Sequence, residues 1–293
     1  MPPLTWPEIA DLVGRGLGER VSVGPPLTPG WSSRTTWAAH GERSGPLVVK
    51  ARHGDRADDK TAWTATRLPL LGARGYPVPT ILWHGPARDW HLIVQNRLPG
   101  RPLTSLDPRL LDGGLLDQVL ALVERQAGAG IDADDRDFTD YIANVLFDDW
   151  DEVWADARQV AGPLCDRIRR SLEPVWGLRL PPADFAHNDL NLSNLLSDGE
   201  RITGVVDWDE FALGSRALDL VVPALDLEEL GRPTAADRFL AAAASAVGSA
   251  GLRSLLSYRA LATLAEDTRE NQPPEATART IQAVSSLLDR LDN

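Results

Sequence analysis

The sequence has few of the residues that cross-link a protein or anchor it in a membrane. It contains one cysteine, Cys165, which excludes a disulfide framework and a cysteine-based metal site. Its net charge of −12 disfavours general binding to nucleic acid or to anionic membranes. No apolar run approaches the ~20 residues of a membrane span, and the first residues lack the basic and apolar segments of a signal peptide. We therefore expect a cytoplasmic protein, monomeric or dimeric, without a nucleic-acid or membrane partner.

The remaining composition is that of an ordinary globular protein, with 293 residues of which 43% are hydrophobic. This length is enough for one large core or for two lobes. A short helix is predicted over 5–19, with Thr5 as its N-cap, and a three-strand meander over 21–52. From residue 103 the apolar spacing is mainly helical, with helices predicted over 131–157, possibly with a break, and over 165–176.

The most informative stretch is a polar loop followed by a hairpin pattern. Apolar segments at 195–196 and 202–206 flank a polar turn that contains Asp-Gly, which is a strong hairpin signal. Pairing of these segments brings Asn194 and Asp207 to the same end of the ribbon. An amide oxygen and a carboxylate at that place suit Mg²⁺, which prefers oxygen ligands. Asp189 lies on the loop just before, where it can accept a proton from a hydroxyl that the metal site positions.

The same stretch allows a second interpretation. Metal hydrolases often bind their metal through clusters of His and Asp, and the members of such a cluster here are His187, Asp189, Asp207 and Asp209. That interpretation does not explain why an Asn follows the loop Asp at a fixed offset.

The order of these residues resembles the catalytic segment of kinases. His187 is followed two residues later by Asp189, then by Asn194 and by an apolar strand that ends on Asp207. In kinases a loop Asp takes the hydroxyl proton, while an Asn and a later Asp hold Mg²⁺ against the phosphates.

Two departures from the protein-kinase pattern narrow the choice of family. The residue before the loop Asp is Asn188, where protein kinases carry Arg, and the metal Asp is followed by Trp208-Asp209 rather than Phe-Gly. In this form the stretch resembles the aminoglycoside phosphotransferase family, also called the small-molecule phosphotransferase family. The resemblance extends over about 25–225.

The resemblance implies a bilobal, protein-kinase-like α+β fold. An N-terminal nucleotide-binding lobe with an antiparallel sheet is expected at 1–97, and a larger helical catalytic and acceptor-binding lobe at 98–293. The implied reaction moves the γ-phosphate of ATP or GTP, with Mg²⁺, to a hydroxyl of a small molecule. The implied roles are base for Asp189, metal ligand for Asn194 and Asp207, support through water for Asp209, loop shaping for His187 and loop bracing for Asp219.

In the N-terminal lobe the resemblance assigns the nucleotide site. Lys50, at the end of an apolar strand, matches the phosphate-binding lysine, although such a lysine is more often a solvated edge charge. Ser32 and Ser33 lie in a small-residue loop that would cover the phosphates, although an ordinary hairpin turn explains that loop as well. Main-chain groups near Gln95 and Arg97 would hold the purine edge at the hinge between the lobes.

One expected residue is missing. Kinases pair the lysine with a Glu on the next helix, but the segment 58–72 has no Glu and carries Trp63-Thr64 at the corresponding place. Asp58 or Asp59 would have to substitute. This departure supports an alternative function, that of a nucleotide-binding pseudokinase that acts through a protein partner.

The chain's negative charge is concentrated between the hinge and the catalytic loop. Residues 132–156 contain ten acidic residues and one basic residue, a net charge of −9. Such a run is usually a solvated face, but here it would also attract a cationic acceptor. Asp148, Asp149 and Glu152 are the candidate acceptor-binding residues. We expect an antibiotic acceptor, aminoglycoside-like first and a nucleoside or macrolide next, with a small-metabolite kinase as the alternative.

Overall fold

The structure is a computed structural model, and it describes residues 4–27, 36–53, 57–107, 111, 113–130, 137–148 and 151–292. The chain forms two compact units. The first contains Met1–Gly100 and Thr203–Val206, and the second contains Arg101–Ile202 and Asp207–Asn293.

The first unit is built on a five-stranded antiparallel sheet with strand order β1-β2-β3-β5-β4. Its elements in chain order are α1 (Trp6–Leu17), β1 (Val21–Pro26), β2 (Thr36–Gly41), β3 (Gly45–His53), α2 (Ala57–Ala73), β4 (Ile81–Ala87) and β5 (Trp90–Asn96). Apolar residues of β3 and β5, among them Leu47, Val49 and Val94, are buried against Ile9 and Val13 of α1. The predicted meander is therefore confirmed, and two further strands complete the sheet.

Local chemistry explains the limits of α1. The main-chain N–H of Thr5 donates to the Glu8 carboxylate at 2.9 Å, which closes the N-terminus of the helix. Gly18 ends the helix in the left-handed region, with φ of 67°. The helix predicted over 5–19 is therefore confirmed, with slightly shorter bounds.

The second unit is mainly helical. From residue 101 on, the elements in chain order are β6 (Arg101–Pro102), α3 (Gly114–Glu124), α4 (Phe138–Phe147), α5 (Asp151–Leu172), β7 (Asp184–Ala186), β8 (Leu195–Ser197), β9 (Ile202–Val205), β10 (Ala212–Gly214), α6 (Leu218–Glu229), α7 (Pro233–Arg269) and α8 (Pro274–Asp292). Of these, β9 is assigned to the first unit except for Ile202. Helices α5 and α6 both pack on α7, and the core includes the fully buried side chains of Phe185, Phe211 and Phe239.

Two short sheets carry the catalytic segment. Strand β8 lies between β6 and β9 in a three-stranded sheet, and the loop that contains Asp198 and Gly199 joins β8 to β9. Strand β7, just before the loop, pairs antiparallel with β10, just after it. The predicted hairpin at 195–206 is confirmed, and the pairing of β7 with β10 closes the segment on itself.

The helices between the hinge and the catalytic loop agree with the prediction in part. The break allowed within 131–157 is present, because α4 ends at Phe147 and α5 begins at Asp151, whereas α5 runs on to Leu172 across the gap between the predicted helices 131–157 and 165–176. Its apolar face is continuous from Val153 to Ile168, and Pro163 is accommodated by a non-helical residue at Ala161, with φ of −145°. Residues 131–136 lie outside the described part of the chain.

Within the described residues, one helix is long and apolar enough to pass a length-and-composition test for a membrane span. This helix is α7, and it is interrupted at Gly248, whose φ of 74° and ψ of 171° are non-helical. The core helix of a soluble protein passes the same test, and α7 packs on α5, α6 and α8. The antiparallel first unit and the larger helical second unit confirm the α+β class.

Candidate active site

The catalytic loop, residues 187–194, is held through its main chain. The buried Asp219 carboxylate accepts from the N–H of His187 at 2.7 Å and from the N–H of Asn188 at 2.8 Å. Gln126, just beyond the end of α3, donates to the same carboxylate at 2.8 Å. Burial raises the pKa of Asp219, and the three donors oppose that shift. Asp219 thus ties the start of the loop to the first turn of α6.

His187 is fully buried and shapes the loop from inside. Its ring lies against the indole of Trp208, with centroids 4.6 Å apart, and its Nδ1 is 3.3 Å from the Asp189 main-chain N–H. Trp208 in turn packs edge-on against Phe211 at 5.2 Å. The imidazole is therefore enclosed by protein and contacts the main chain of Asp189.

Two non-glycine residues at the site adopt left-handed backbone conformations. Asn188 has φ of 65° and Asp207 has φ of 62°, which are unusual values that Asn and Asp tolerate best. The Asn188 amide donates to the Glu210 carbonyl at 2.9 Å, and a Cβ added at Gly214 would lie 3.0 Å from Asn188 Oδ1. Such strained residues persist where the surrounding structure over-determines them, and functional sites are typical places.

Asp189 is the exposed carboxylate of the loop, with 33% of its side chain accessible. Its Oδ2 accepts from the Asn191 amide at 3.2 Å, and its Oδ1 accepts from Arg259 Nη1 at 3.2 Å. Its main-chain carbonyl accepts from the Asn194 amide at 2.9 Å. The side chain is therefore oriented on both oxygens and still reaches solvent, as a base for an incoming hydroxyl requires.

Asn194 and Asp207 are chemically suited to hold a magnesium ion. The Asn194 amide nitrogen is used by the Asp189 carbonyl, so the amide orientation is set and Oδ1 is the atom on its other side. Asp207 follows β9 and precedes a short 3₁₀ turn, Trp208–Glu210, which includes the half-exposed Asp209. An amide oxygen with one or two carboxylates is the hard-oxygen set that Mg²⁺ takes from proteins.

The alternative of a His/Asp metal centre gains no support. Among the described residues, no group of three or more His, Cys, Asp or Glu side chains is placed so that it could share one metal ion. His187 is buried against Trp208, and the Asp189 carboxylate is engaged by Arg259.

Arg259 is the residue of the site that sequence reasoning missed. It lies on α7, 70 residues beyond Asp189, and only 11% of its side chain is exposed. Burial would lower the pKa of this guanidinium, but the carboxylates of Asp189, Glu266 and Asp226 outweigh it and raise that pKa further above its usual value. The one sequence signal for Arg259 was that Glu266 follows it by seven residues in the same helix. Such pairs of charged residues are too common to identify a functional arginine.

Asp226 supports the other end of the loop. It is a buried carboxyl of α6, and it accepts from the Leu192 main-chain N–H at 2.6 Å. Burial raises its pKa to about 7, although the Leu192 N–H and the charge of Arg259 favour its ionised form. The loop is therefore fixed by α6 at both ends, through Asp219 and Asp226.

The predicted acceptor-binding carboxylates lie in different surroundings. Asp148 forms an ion pair with Arg179 at 3.1 Å, and Arg179 also pairs with Asp140 at 2.9 Å. Glu152 is exposed at the start of α5, whereas Asp149 lies outside the described residues. At least part of the acidic stretch is thus neutralised within the protein at an exposed surface.

An aromatic group borders the loop on the side of α4 and α7. The rings of Phe138, Tyr141 and Tyr258 contact one another edge-on or tilted, with centroids 5.2–6.1 Å apart. Burial and the carboxylates of Glu210 and Glu266 raise the pKa of Tyr141. This places a half-buried phenol near the carboxylates of Glu210 and Glu266 and against Tyr258, the chain neighbour of Arg259.

The first unit carries the remaining predicted residues. Lys50 is half-buried on β3, between Thr36 of β2 and Ile93 of β5. Gln95 is buried on β5, and Arg97 is exposed just beyond it. The main-chain N–H of Arg97 donates to Pro46, so it is not available to a purine. Ser32 and Ser33 lie outside the described residues.

The place of the missing Glu is filled by core packing. Trp63 and Thr64 of α2 are both buried, and the Thr64 hydroxyl donates to the Lys60 carbonyl at 2.8 Å. Neither side chain offers a carboxylate to Lys50. Asp59, near the start of the same helix, is exposed.

Comparison with known proteins agrees with this geometry. A family model described as "Phosphotransferase enzyme family" matches residues 23–258. The chain therefore belongs to the phosphotransferase enzyme family. Among curated proteins, it is 29% identical over 161 residues to a viomycin phosphotransferase of Streptomyces vinaceus, over 50% of this chain and 55% of the relative. The match thus spans about half the length of that relative.

Solved structures show the same protein-kinase-like fold at low sequence identity. A thermostable mutant of an aminoglycoside phosphotransferase in a ternary complex with ADP and hygromycin B superposes with a TM-score of 0.63 at 15% identity, covering 95% of this chain and 98% of that chain. An aminoglycoside phosphotransferase from Streptomyces rimosus, with ADP and streptomycin, gives 0.58 at 15% identity over 89% and 99%. A protein named as a putative fructosamine-3-kinase from Haemophilus somnus gives 0.57 at 13% identity, over 97% of both chains.

Proposed function

We propose that this protein transfers the γ-phosphoryl group of ATP or GTP to a hydroxyl of a small molecule. The observation that carries the proposal is the braced loop in a member of the phosphotransferase family. This loop presents Asp189 to solvent and holds the Asn194 amide against the Asp189 main chain, and Asp207 follows the hairpin strand β9. Positioning and charge neutralisation account for most catalysis of this reaction.

In the proposed reaction the acceptor hydroxyl oxygen forms a bond to the γ-phosphorus, and the bond from that phosphorus to the β–γ bridging oxygen breaks. The hydroxyl proton passes to Asp189, and the nucleoside diphosphate leaves. Asn194 and Asp207 would hold Mg²⁺, with Asp209 assisting through water, and the bound ion would neutralise phosphate charge. Lys50 would bind the phosphates as a point charge, near the loop of Ser32 and Ser33.

We further propose an antibiotic as the acceptor, which the protein would inactivate. The curated relative is named for viomycin, and two of the similar structures hold hygromycin B or streptomycin. The net charge of −12 and the carboxylates of Glu210 and Glu266 near Tyr141 favour a cationic acceptor of aminoglycoside type. A nucleoside or macrolide antibiotic is the next class.

A small-metabolite kinase is the second candidate function, and the fold shared with a putative fructosamine-3-kinase is the observation that favours it. The pseudokinase alternative keeps its support from Trp63 and Thr64, which fill the place of the helix Glu. In all three cases we propose 1–97 as the nucleotide-binding lobe, 98–293 as the catalytic lobe, and a cytoplasmic location.

The test measures acceptor-dependent release of ADP or GDP in the presence of Mg²⁺. The panel contains hygromycin B, streptomycin, viomycin, a macrolide, a nucleoside antibiotic and simple amino alcohols. Asp189→Asn should lower turnover by more than about 1,000-fold. Nucleotide affinity should change by less than about twofold, because Asp189 contacts the acceptor and not the nucleotide.

Asp198→Asn is the matched control, because Asp198 is an exposed carboxylate in the turn of the same hairpin and its Oδ1 accepts from the N–H groups of Glu200 and Arg201. It should keep wild-type turnover. Normal turnover of Asp189→Asn would refute the assignment of the base. Tight Mg-nucleotide binding without release for any acceptor would favour the pseudokinase.

A further inference from the structure

Arg259 brings a fixed positive charge to the base from a distant helix. It belongs to the part of α7 that follows the break at Gly248, and its Nη1 donates to Asp189 Oδ1 at 3.2 Å. A guanidinium does not lose its proton in proteins, so the charge next to the base is permanent. The pair is largely enclosed on the side of Arg259, which reduces the screening of its attraction by water.

The two oxygens of Asp189 are held from different directions. Oδ1 accepts from Arg259 on α7, and Oδ2 accepts from the Asn191 amide of the loop itself. Each carboxylate oxygen offers about two acceptor positions, so these two contacts set the plane of the carboxylate and leave acceptor positions for an incoming hydroxyl. Asn191 is part of the loop and follows any movement of it, whereas Arg259 anchors the Asp189 side chain to a packed helix.

The charges around Arg259 are balanced by carboxyl groups on three elements. Asp189 faces it from the loop, Asp226 from α6 and Glu266 from α7, and Tyr258 is its neighbour in the chain. Asp226 also accepts from the Leu192 N–H, so the same arginine stands between the two carboxyls that position the loop. Without the guanidinium these carboxylates would repel one another.

Burying this arginine also has a cost to the stability of the fold. Its Nε is buried and has no hydrogen-bond partner among the described residues. A buried donor without a partner destabilises a protein. A packed apolar side chain would avoid that penalty, which indicates that the charge of Arg259 serves the carboxylates around it.

We propose that Arg259 is a positioning residue for Asp189, which fixes the orientation of the carboxylate toward the acceptor hydroxyl and stabilises its charge. The inference rests on the proposed phosphoryl transfer. Arg259 itself makes and breaks no covalent bond, and the acceptor proton still passes to Asp189.

The first test compares Arg259→Met with Arg259→Lys in steady-state kinetics, using the panel acceptor that gives the highest turnover. Loss of the guanidinium should lower kcat about 100-fold, the effect expected of a misplaced catalytic group, while the KM for the nucleotide changes less than about twofold. Lysine keeps the charge without the planar donor and should recover part of the loss.

Arg253→Met is the matched control, because Arg253 is a half-buried arginine of the same helix and donates to the Leu291 carbonyl at 2.7 Å. It should leave kcat and the KM for the nucleotide unchanged. Wild-type kcat in Arg259→Met would overturn the inference and leave the proposed function standing.

A second measurement does not depend on turnover. Hydrogen exchange of the purified protein should show faster deuterium uptake in residues 187–194 of Arg259→Met than in wild type or Arg253→Met. If wild type releases no diphosphate with any acceptor, the proposed function fails, and this comparison alone decides the inference. Equal uptake in the three proteins would overturn it, and faster uptake confined to Arg259→Met would support the anchoring of the loop.

Discussion

The buried carboxyl of Asp226 should make stability depend on pH in a direction opposite to that of most carboxyls. Its pKa is raised from an ordinary value of 3.8 to about 7, because burial disfavours the charged form more than the Leu192 N–H and Arg259 favour it. Between these two values the folded protein holds a proton that the unfolded chain has released. Stability therefore falls as pH rises through this window, and the loss is complete above about pH 7.

The magnitude follows from the two pKa values. For a single site, the free energy of unfolding should decrease by about 2 kcal/mol between about pH 5.5 and about pH 8. Asp226→Asn removes the titration and keeps a side-chain oxygen for Leu192. The free energy of unfolding of the variant minus that of wild type should therefore be about 2 kcal/mol larger at the higher pH than at the lower pH.

Urea unfolding followed by circular dichroism at the two pH values measures this difference. Asp237→Asn is the control, because Asp237 is an exposed carboxylate of α7 with 57% of its side chain accessible. Its difference from wild type should be the same at both pH values. If the difference between Asp226→Asn and wild type is the same at both pH values, or is larger at the lower pH, the buried Asp226 carboxyl does not hold the extra proton in the folded state and the reasoning is refuted.

Two further predictions concern the metal ligand and the cysteine. Asp207→Asn should raise the Mg²⁺ concentration for half-maximal turnover by at least about 10-fold, because the site loses a charged ligand; an unchanged Mg²⁺ requirement would place the metal elsewhere. Burial raises the pKa of the Cys165 thiol, so a thiol-reactive disulfide reagent should label this thiol only as fast as the protein unfolds. Rapid labelling under native conditions would contradict the burial of Cys165.

Features set by neighbouring residues were predictable from the sequence. The hairpin at 195–206 follows from two apolar segments and an Asp-Gly turn, and α1 follows from Thr5, Glu8 and its apolar spacing. The family resemblance rests on the same local spacing of Asp189, Asn194 and Asp207. Such signals need only a few consecutive residues, so tertiary packing did not have to be known.

Features set by packing were not predictable in the same way. The start of α5 at Asp151 depends on where its apolar face meets α7, and the periodicity of a single segment does not define that point. Arg259 reaches the loop across 70 residues, and Gln126 reaches Asp219 across 93 residues, whereas arginine and glutamine side chains are ordinarily solvated. The roles of Ser32, Ser33 and Lys50 stay predictions.

The span between the loop and Arg259 also bears on how the protein is made. The chain emerges from the ribosome in order, so Asp189 is synthesised 70 residues before the arginine that anchors it. At typical elongation rates this delay is roughly 4 to 14 s. During that interval the rest of the loop, the hairpin and Asp219 are synthesised, but the carboxylate still lacks its partner on α7. A nascent chain can therefore complete every residue of the catalytic motif and still lack an oriented base.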